Sequence, residues 1–131
     1  MKRTLIALTL VATTAFSGLA HAGGTITFHM NATNSHDANA IRTGLTLYQI
    51  ARDIDANGHI SQNGINNIAS LAQGGHGNIG VIHQDGNNHN GSIYQNGNNN
   101  SCGLFQFGRG TNGHINQTGN GQACLMFQAG F

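Results

Sequence analysis

The residues of this chain that could do chemistry are its histidines, its cysteines and a few aspartates. The sequence holds eight histidines, two cysteines and four acidic residues, and metal binding and acid–base catalysis are common roles of such side chains. Seven histidines follow residue 22: His29, His36, His59, His76, His83, His89 and His114. No two of these lie 22 residues apart, the spacing that would stack them in the repeat described below. We therefore interpret them as solvated polar residues and predict no enzyme activity, metal site or cofactor.

Composition restricts the partners of the chain. Lys, Arg, Asp and Glu make up 7% of its 131 residues, the formal net charge is +1, and the chain has 20 Gly but no Pro. So few basic residues cannot form the face that neutralises phosphates, so we expect no nucleic-acid partner. Low charge combined with Asn, Gln and Gly instead favours chains that pair with themselves.

The first 22 residues have the pattern of a secretory signal peptide. Met1, Lys2 and Arg3 are followed by an apolar stretch over residues 4–16, and residues 20–22 read Ala-His-Ala. The sequence therefore predicts cleavage between Ala22 and Gly23 and export of residues 23–131. A stretch this short, with nothing similar after it, predicts no membrane span in the mature chain.

An internal repeat dominates the rest of the sequence. Glutamine recurs every eleven residues, at Gln62, Gln73, Gln84, Gln95, Gln106, Gln117 and Gln128. A glycine follows two positions after each one, at Gly64, Gly75, Gly86, Gly97, Gly108, Gly119 and Gly130. An aliphatic residue or Met precedes each one by two positions, at Ile60, Leu71, Ile82, Ile93, Leu104, Ile115 and Met126. Such columns in register indicate repeated structural units.

The spacing within a unit indicates which elements position these residues. A small residue, the aliphatic residue and Gln alternate, so in a strand they share one face, and the Gly and Asn that follow favour a tight turn. We predict an all-β solenoid over residues 58–131, with two eleven-residue units in each 22-residue coil and two facing parallel sheets.

The glutamines are expected to form a ladder inside the solenoid. A buried amide costs about 1–3 kcal/mol when it is unpaired, but stacked glutamines donate to and accept from their neighbours. The last unit, residues 124–131, has no charge and no Pro, so we expect an open edge there. Another molecule would then supply the missing coil, and head-to-tail addition that does not close gives a fibre.

The repeat resembles the curlin repeat of curli subunits, the bacterial functional-amyloid proteins. Residues 61–73 read Ser-Gln-Asn-Gly-Ile-Asn-Asn-Ile-Ala-Ser-Leu-Ala-Gln, which carries almost the full family motif, and the resemblance covers residues 58–131. It implies a homopolymeric amyloid fibre on the bacterial cell surface, used in biofilm matrix, adhesion and cell aggregation. It also implies passage through the periplasm and an outer-membrane secretion pore, and partnership with other curli-like subunits, as either the major subunit or the nucleator.

Residues 23–57 precede the repeats and leave a second interpretation open. Residues 45–51 could be an eighth, degenerate unit, and residues 25–30 alternate like a strand that could form a cap or an additional edge. Asp53 and Asp55 lie in the irregular turn that follows. If this segment covers one end, the alternative is a capped monomeric β-solenoid that serves as an adhesin or fibre accessory protein.

Two further sets of side chains are open to more than one interpretation. Cys102 and Cys124 fall in the same column one coil apart, where they could form a disulfide or simply fill the small-residue position. The late aromatic residues fall in outward columns, at Phe105, Phe107, Phe127 and Phe131. They could pack against a neighbouring filament or the N-terminal segment, or form an adhesive surface.

Overall fold

The computed structural model describes residues 23–52 and 58–131, together with the backbone of a short strand at residues 9–11. The rest of the predicted signal peptide, including Ala22, lies outside the described residues, as do Asp53 and Asp55. The elements in chain order are β1 (Thr9–Val11), β2 (Thr25–Asn31), α1 (Ser35–Ala51), β3 (Gly58–Asn63), β4 (Ile68–Gly74), β5 (Ile79–Asn87), β6 (Asn90–Asn96), β7 (Ser101–Arg109), β8 (Asn112–Thr118) and β9 (Ala123–Gly130).

Strands β3 to β9 form the predicted β-solenoid. Alternate strands belong to opposite sheets, in the orders β3-β5-β7-β9 and β4-β6-β8, and neighbours within these two stacks are parallel. The register shifts by 22 residues from coil to coil, so that Gln62 pairs with Gln84 in one sheet and Gln73 with Gln95 in the other. The fold class and the two-unit coil predicted from the sequence are thereby confirmed.

The core lies between the two sheets and consists of the predicted aliphatic column. Ile82, Ile93, Leu104, Ile115 and Met126 are buried in one cluster. The first coil differs, because its Ile60 and Leu71 have a neighbouring coil on one side only, and Ile60 is 40% exposed. The apolar column is therefore complete in the middle of the stack and uncovered at its beginning.

The turns explain why glycine recurs with the same period. Gly86 has φ of 129°, and a Cβ there would lie 1.8 Å from the carbonyl oxygen of Gly108 in the next coil. Neither the backbone conformation nor the space admits a side chain. Gly130 is an exception among the predicted turn glycines, since it is not among those with a positive φ and it pairs with Thr25 of β2.

Asparagine side chains join the turns of successive coils. The Asn67 side chain donates to the carbonyl of Gly86 at 2.9 Å, and the Asn78 side chain donates to the carbonyl of Gly97 at 3.0 Å. The Asn87 side chain instead accepts a hydrogen bond, from the Ile65 backbone N–H at 2.9 Å. The asparagines at these repeated positions thus form hydrogen bonds with backbone groups of the turns, which the sheets would leave without a partner.

The N-terminal segment differs from two sequence-based expectations. Residues 45–51 belong to helix α1 and are not an eighth repeat, because Ile41, Leu45 and Tyr48 fall at helical spacing and pack on the outer face of the β5-β7-β9 sheet. Asn34 caps the helix by accepting from the Asp37 backbone N–H at 2.9 Å. Within residues 23–52 and 58–131 we find no helix with the length and apolarity that a membrane span requires.

The second difference concerns the last strand, which was expected to be open. Strand β2 pairs with β9 in antiparallel orientation over seven residue pairs, from Thr25 with Gly130 to Asn31 with Cys124. The expectation of an uncovered edge was wrong for this sheet, because the alternating apolar residues of β2 make a strand that fits the last one. The other edge of β2 pairs with β1, which lies within the predicted signal peptide.

Candidate assembly interface

The glutamine ladder runs through the solenoid with a single direction. Gln62 donates through Nε2 to Oε1 of Gln84 at 2.8 Å, and Gln84 donates to Gln106 and Gln106 to Gln128 at the same distance. The opposite sheet repeats this arrangement from Gln73 through Gln95 to Gln117, again at 2.8 Å. In every rung the donor is in the earlier coil and the acceptor in the later one.

Each interior glutamine amide also donates a hydrogen bond to a backbone carbonyl of the opposite sheet. The second Nε2 hydrogen of Gln84 is donated to the carbonyl of Ile68 at 2.7 Å, and that of Gln95 to the carbonyl of Ile79 at 2.9 Å. Both side chains are fully buried. The ladder therefore removes the cost of burying a glutamine only where that glutamine has a neighbouring coil on each side.

The beginning of the stack presents unpaired acceptors. Among the described residues no donor reaches Oε1 of Gln62 or Gln73, and both side chains are exposed. Strands β3 and β4 each pair with a neighbour on one side only. Ile65 and Ile68 lie at the same end and are 68% and 64% exposed. We name this surface, formed by β3, β4 and the turn between them, the first-coil end.

The other end of the stack presents donors. We name the surface formed by the free edge of β8 and the edge of β9 the last-coil end. Gln117, on β8, is the final glutamine of its sheet and donates to the carbonyl of Ser101 at 3.2 Å. Gln128, on β9, donates to the carbonyl of Asn112 at 2.9 Å and to Oγ1 of Thr27, on β2, at 3.3 Å. The two ends are thus chemically complementary, and β2 covers half of the last-coil end.

Cys102 and Cys124 are joined in a disulfide between β7 and β9. They are in-register partners with Cα atoms 4.7 Å apart, and both are buried in the core cluster. Of the two interpretations that the sequence allowed, the structure has the bonded one. The bond fixes the last coil to the one before it.

The histidines are dispersed, and the expectation that all of them are solvated was wrong: His89 is buried, and among the described residues His29 Nε2 and His83 Nδ1 are buried without a hydrogen-bond partner. His89 is 1% exposed; its Nδ1 lies 2.8 Å from Oγ1 of Thr111, and its Nε2 lies 3.3 Å from the carbonyl oxygen of Asp85. The available signal was its place in a turn column whose other residues are Asn, Thr or Gln. Across residues 23–52 and 58–131 no three His, Cys or Asp side chains are grouped as metal ligands would be.

His83 is a histidine whose pKa is lowered by its surroundings. It lies half-buried on the outer face of its sheet, with its ring 5.8 Å from that of Phe107. Burial lowers the pKa of His83, the Arg52 cation acts in the same direction, and Asp85 opposes them. His83 is therefore suited to packing beside aromatic rings in its neutral form.

The outer face of the β5-β7-β9 sheet is covered by α1. The Tyr48 ring meets the edge of Phe105 at 5.5 Å, and Phe105 stacks on Phe127 at 5.0 Å. Phe105 thus packs against the N-terminal segment, one of the alternatives left open above. Arg42 anchors the helix by donating to Oγ of Ser101 at 2.9 Å and to the carbonyl of Gly77 at 2.7 Å.

A cavity of about 480 Å³ remains between β2, α1 and this sheet face. Its walls include Met30, Ile41, Leu45, Phe105 and Leu125. Asp37, at its rim, accepts hydrogen bonds from Thr33 and Asn34 at 3.1 Å and so serves the start of the helix. Most of the residues that line the cavity are apolar.

Comparison with known proteins gives no assignment: we find no match to the chain among protein-family descriptions, curated proteins or solved structures.

Proposed function

We propose that this chain is a secreted structural subunit that assembles head-to-tail into curli-like extracellular amyloid fibres. The observation that carries the proposal is the directed glutamine ladder, which leaves acceptors at the first-coil end and donors at the last-coil end. A second copy of the chain offers the groups that each end lacks. The resulting contact is heterologous and does not close, so it gives a filament.

Burial favours the same assembly. Ile60 is 40% exposed at the first-coil end, whereas the equivalent residues of the later coils are buried. Covering the first-coil end with another coil would remove this apolar surface from water and complete the column, at about 25 cal/mol for each Å² buried. The free edges of β3 and β4 would pair as well, which removes the exposed edges that isolated sheets must protect.

The setting that we propose follows from the leader and from the resemblance to curlin repeats. Residues 1–22 would direct the chain to the periplasm, and an outer-membrane pore would release residues 23–131 at the cell surface. There the fibre would serve biofilm matrix, adhesion and cell aggregation together with other curli-like subunits, a structural role without catalysis. The disulfide accords with an oxidising compartment.

One observation favours the second candidate, a capped monomeric solenoid that acts as an adhesin or accessory protein. Strand β2 covers the edge of β9, and α1 covers the outer face of the same sheet. Under this alternative β2 is a permanent cap, and the last-coil end does not bind another copy.

Fibre growth of the mature chain distinguishes the two candidates. Residues 23–131 are released from denaturant at micromolar concentration, thioflavin T fluorescence is followed, and the product is imaged by negative stain. The subunit proposal predicts a lag that preformed seeds abolish, with unbranched fibres that diffract at about 4.8 Å. A β-rich species that stays monomeric in light scattering, with or without seeds, would reject it in favour of the capped solenoid.

A further inference from the structure

The two sheets of the solenoid have unequal numbers of strands. Strands β3, β5, β7 and β9 make four in one sheet, whereas β4, β6 and β8 make three in the other. The stack therefore extends one strand further on the β9 side. A second copy added without rotation would place its β3 on β9. Its β4 would then lie level with its own β3, two strand spacings beyond β8, and the position next to β8 would stay empty.

We propose that successive copies are related by a half-turn about the stack axis, so that β3 of the incoming copy docks on β8 and its β4 docks on β9. This inference rests on the proposed function and specifies its interface. The half-turn moves the shorter side of one copy onto the longer side of the next, so that both sheets continue without a gap.

The equivalence of the seven units makes this exchange of sheets feasible. The chain reverses direction at each turn, so strands of the two sheets run in opposite directions, and a half-turn superposes one sheet on the other. Each strand carries the same inward sequence of small residue, aliphatic residue and Gln. Ile60 would then stack on Ile115 and Leu71 on Met126, as each aliphatic residue does within the chain.

The ladder would continue across the same contact. Gln117 would donate to Oε1 of Gln62 and Gln128 to Oε1 of Gln73, so that both unpaired acceptors of the first-coil end are satisfied. Within the chain every such rung measures 2.8 Å, whereas Gln128 reaches Thr27 at 3.3 Å. The last rung is therefore held less closely by β2 than a further coil would hold it.

Strand β2 occupies the edge of β9 that β4 of the incoming copy requires, while β8 has a free edge. Docking therefore begins with β3 on β8, and β2 leaves β9 when β4 arrives. β2 thus acts as an exchangeable cover of the last-coil end and limits growth to encounters that displace it.

Cross-linking between copies tests the half-turn. Thr118 is the last residue of β8 and Asn63 the last of β3, and the register places them side by side across the proposed contact. Without rotation Asn63 would instead lie beside Ala129 on β9, as Phe107 does within the chain. All three side chains are exposed, and both native cysteines are used in the disulfide.

The experiment compares two double variants of residues 23–131 that share one substitution, Asn63→Cys with Thr118→Cys and Asn63→Cys with Ala129→Cys. Fibres are grown from each, treated with a short bismaleimide and analysed on denaturing gels. The half-turn predicts a ladder of covalent multimers from the first variant and at least about tenfold less from the second, because in that pair the thiols lie on opposite outer faces of sheets about 10 Å apart.

The outcomes separate the inference from the proposed function. Fibres in which the Ala129 variant cross-links better, or in which neither does, would reject the half-turn while the fibre-forming role stands. If neither the variants nor the parent chain forms fibres, the proposed function fails and the half-turn fails with it. Thioflavin T growth and circular dichroism of each variant, compared with the parent, show whether the substitutions themselves prevent folding.

Discussion

At the scale of single residues, the molecule depends on polar groups that are buried and fully paired. Gln84, Gln95 and Gln106 lie in a core otherwise made of aliphatic side chains, and each uses both its carbonyl oxygen and its amide hydrogens. Such groups stabilise one register over all others, because a shift of the stack by one residue would leave every one of them unpaired.

The substitution Gln95→Leu tests the ladder. It fits the apolar core but removes the acceptor of Gln73 and the donor to Gln117, and we expect it to lower the free energy of unfolding by about 1–3 kcal/mol. Urea denaturation of the soluble chain, followed by circular dichroism, measures this. Asn96→Leu is the matched control because Asn96 is the next residue of the same strand and is exposed. Equal losses from both variants would contradict the role of the ladder.

The disulfide allows a second test at this scale. The double substitution Cys102→Ala and Cys124→Ala keeps small residues in a column that already contains Ala69, but removes a link across 22 residues. We expect a loss of about 3 kcal/mol in the free energy of unfolding, because the unfolded chain regains the freedom of that loop. The wild-type chain treated with reductant in urea should reach the same midpoint as the variant. An unchanged midpoint in both would show that the bond does not stabilise the solenoid.

At the scale of elements, the edges of β3 and β4 at one end and of β8 and β9 at the other decide what the solenoid can bind. The substitution Ile60→Lys places a charge in a column that a further coil would bury, so we expect fibre growth on wild-type seeds to slow by at least about tenfold. Ile65→Lys is the control, since it lies in the turn of the same coil and its column already contains Arg109. The rates come from thioflavin T traces. A rate for Ile60→Lys no slower than that of the parent chain would show that the first-coil end takes no part in growth.

Strand β2 has the opposite predicted effect. The substitution Phe28→Pro removes a backbone N–H in the middle of β2 and weakens its pairing with β9, so growth on wild-type seeds should become about tenfold faster. Ser35→Pro is the control because proline is tolerated at the first position of a helix, which Ser35 holds in α1. If Phe28→Pro slows growth relative to Ser35→Pro, then β2 contributes to the fibre and does not restrain it.

The elements also show what the sequence could and could not predict. The strands, turns and ladder of residues 58–131 were predictable, because each unit repeats the same local preferences and the same columns. Helix α1 was missed because Leu45 and Leu47 alternate with polar residues, as in a strand. The helical conformation instead follows from tertiary packing, in which Leu45 contacts a cluster with Val81 and Phe105. The alternation of residues 25–30 predicted a strand that could form a cap, as β2 does, but its pairing with β9 joins segments about a hundred residues apart and could not be assigned from a local pattern.

At the scale of the whole molecule, the chain is an incomplete stack whose two ends differ. The first-coil end offers acceptors and apolar surface, and the last-coil end offers donors that β2 partly covers. A single copy leaves these groups to water, and each contact between two copies satisfies the first-coil end of one copy and the last-coil end of the other. Because the solenoid has seven strands, an odd number, the proposed half-turn recurs at every contact along the filament.

Electron cryo-microscopy of fibres grown from residues 23–131 tests this account most directly, because the helical symmetry reports how each copy is added. Seven strands at two per coil give a rise of about 17 Å for each copy, with a rotation close to a half-turn in addition to the gradual twist of the sheets. A rise of about 4.8 Å for each copy would mean that every chain lies flat in a single layer, and it would contradict assembly by stacked coils.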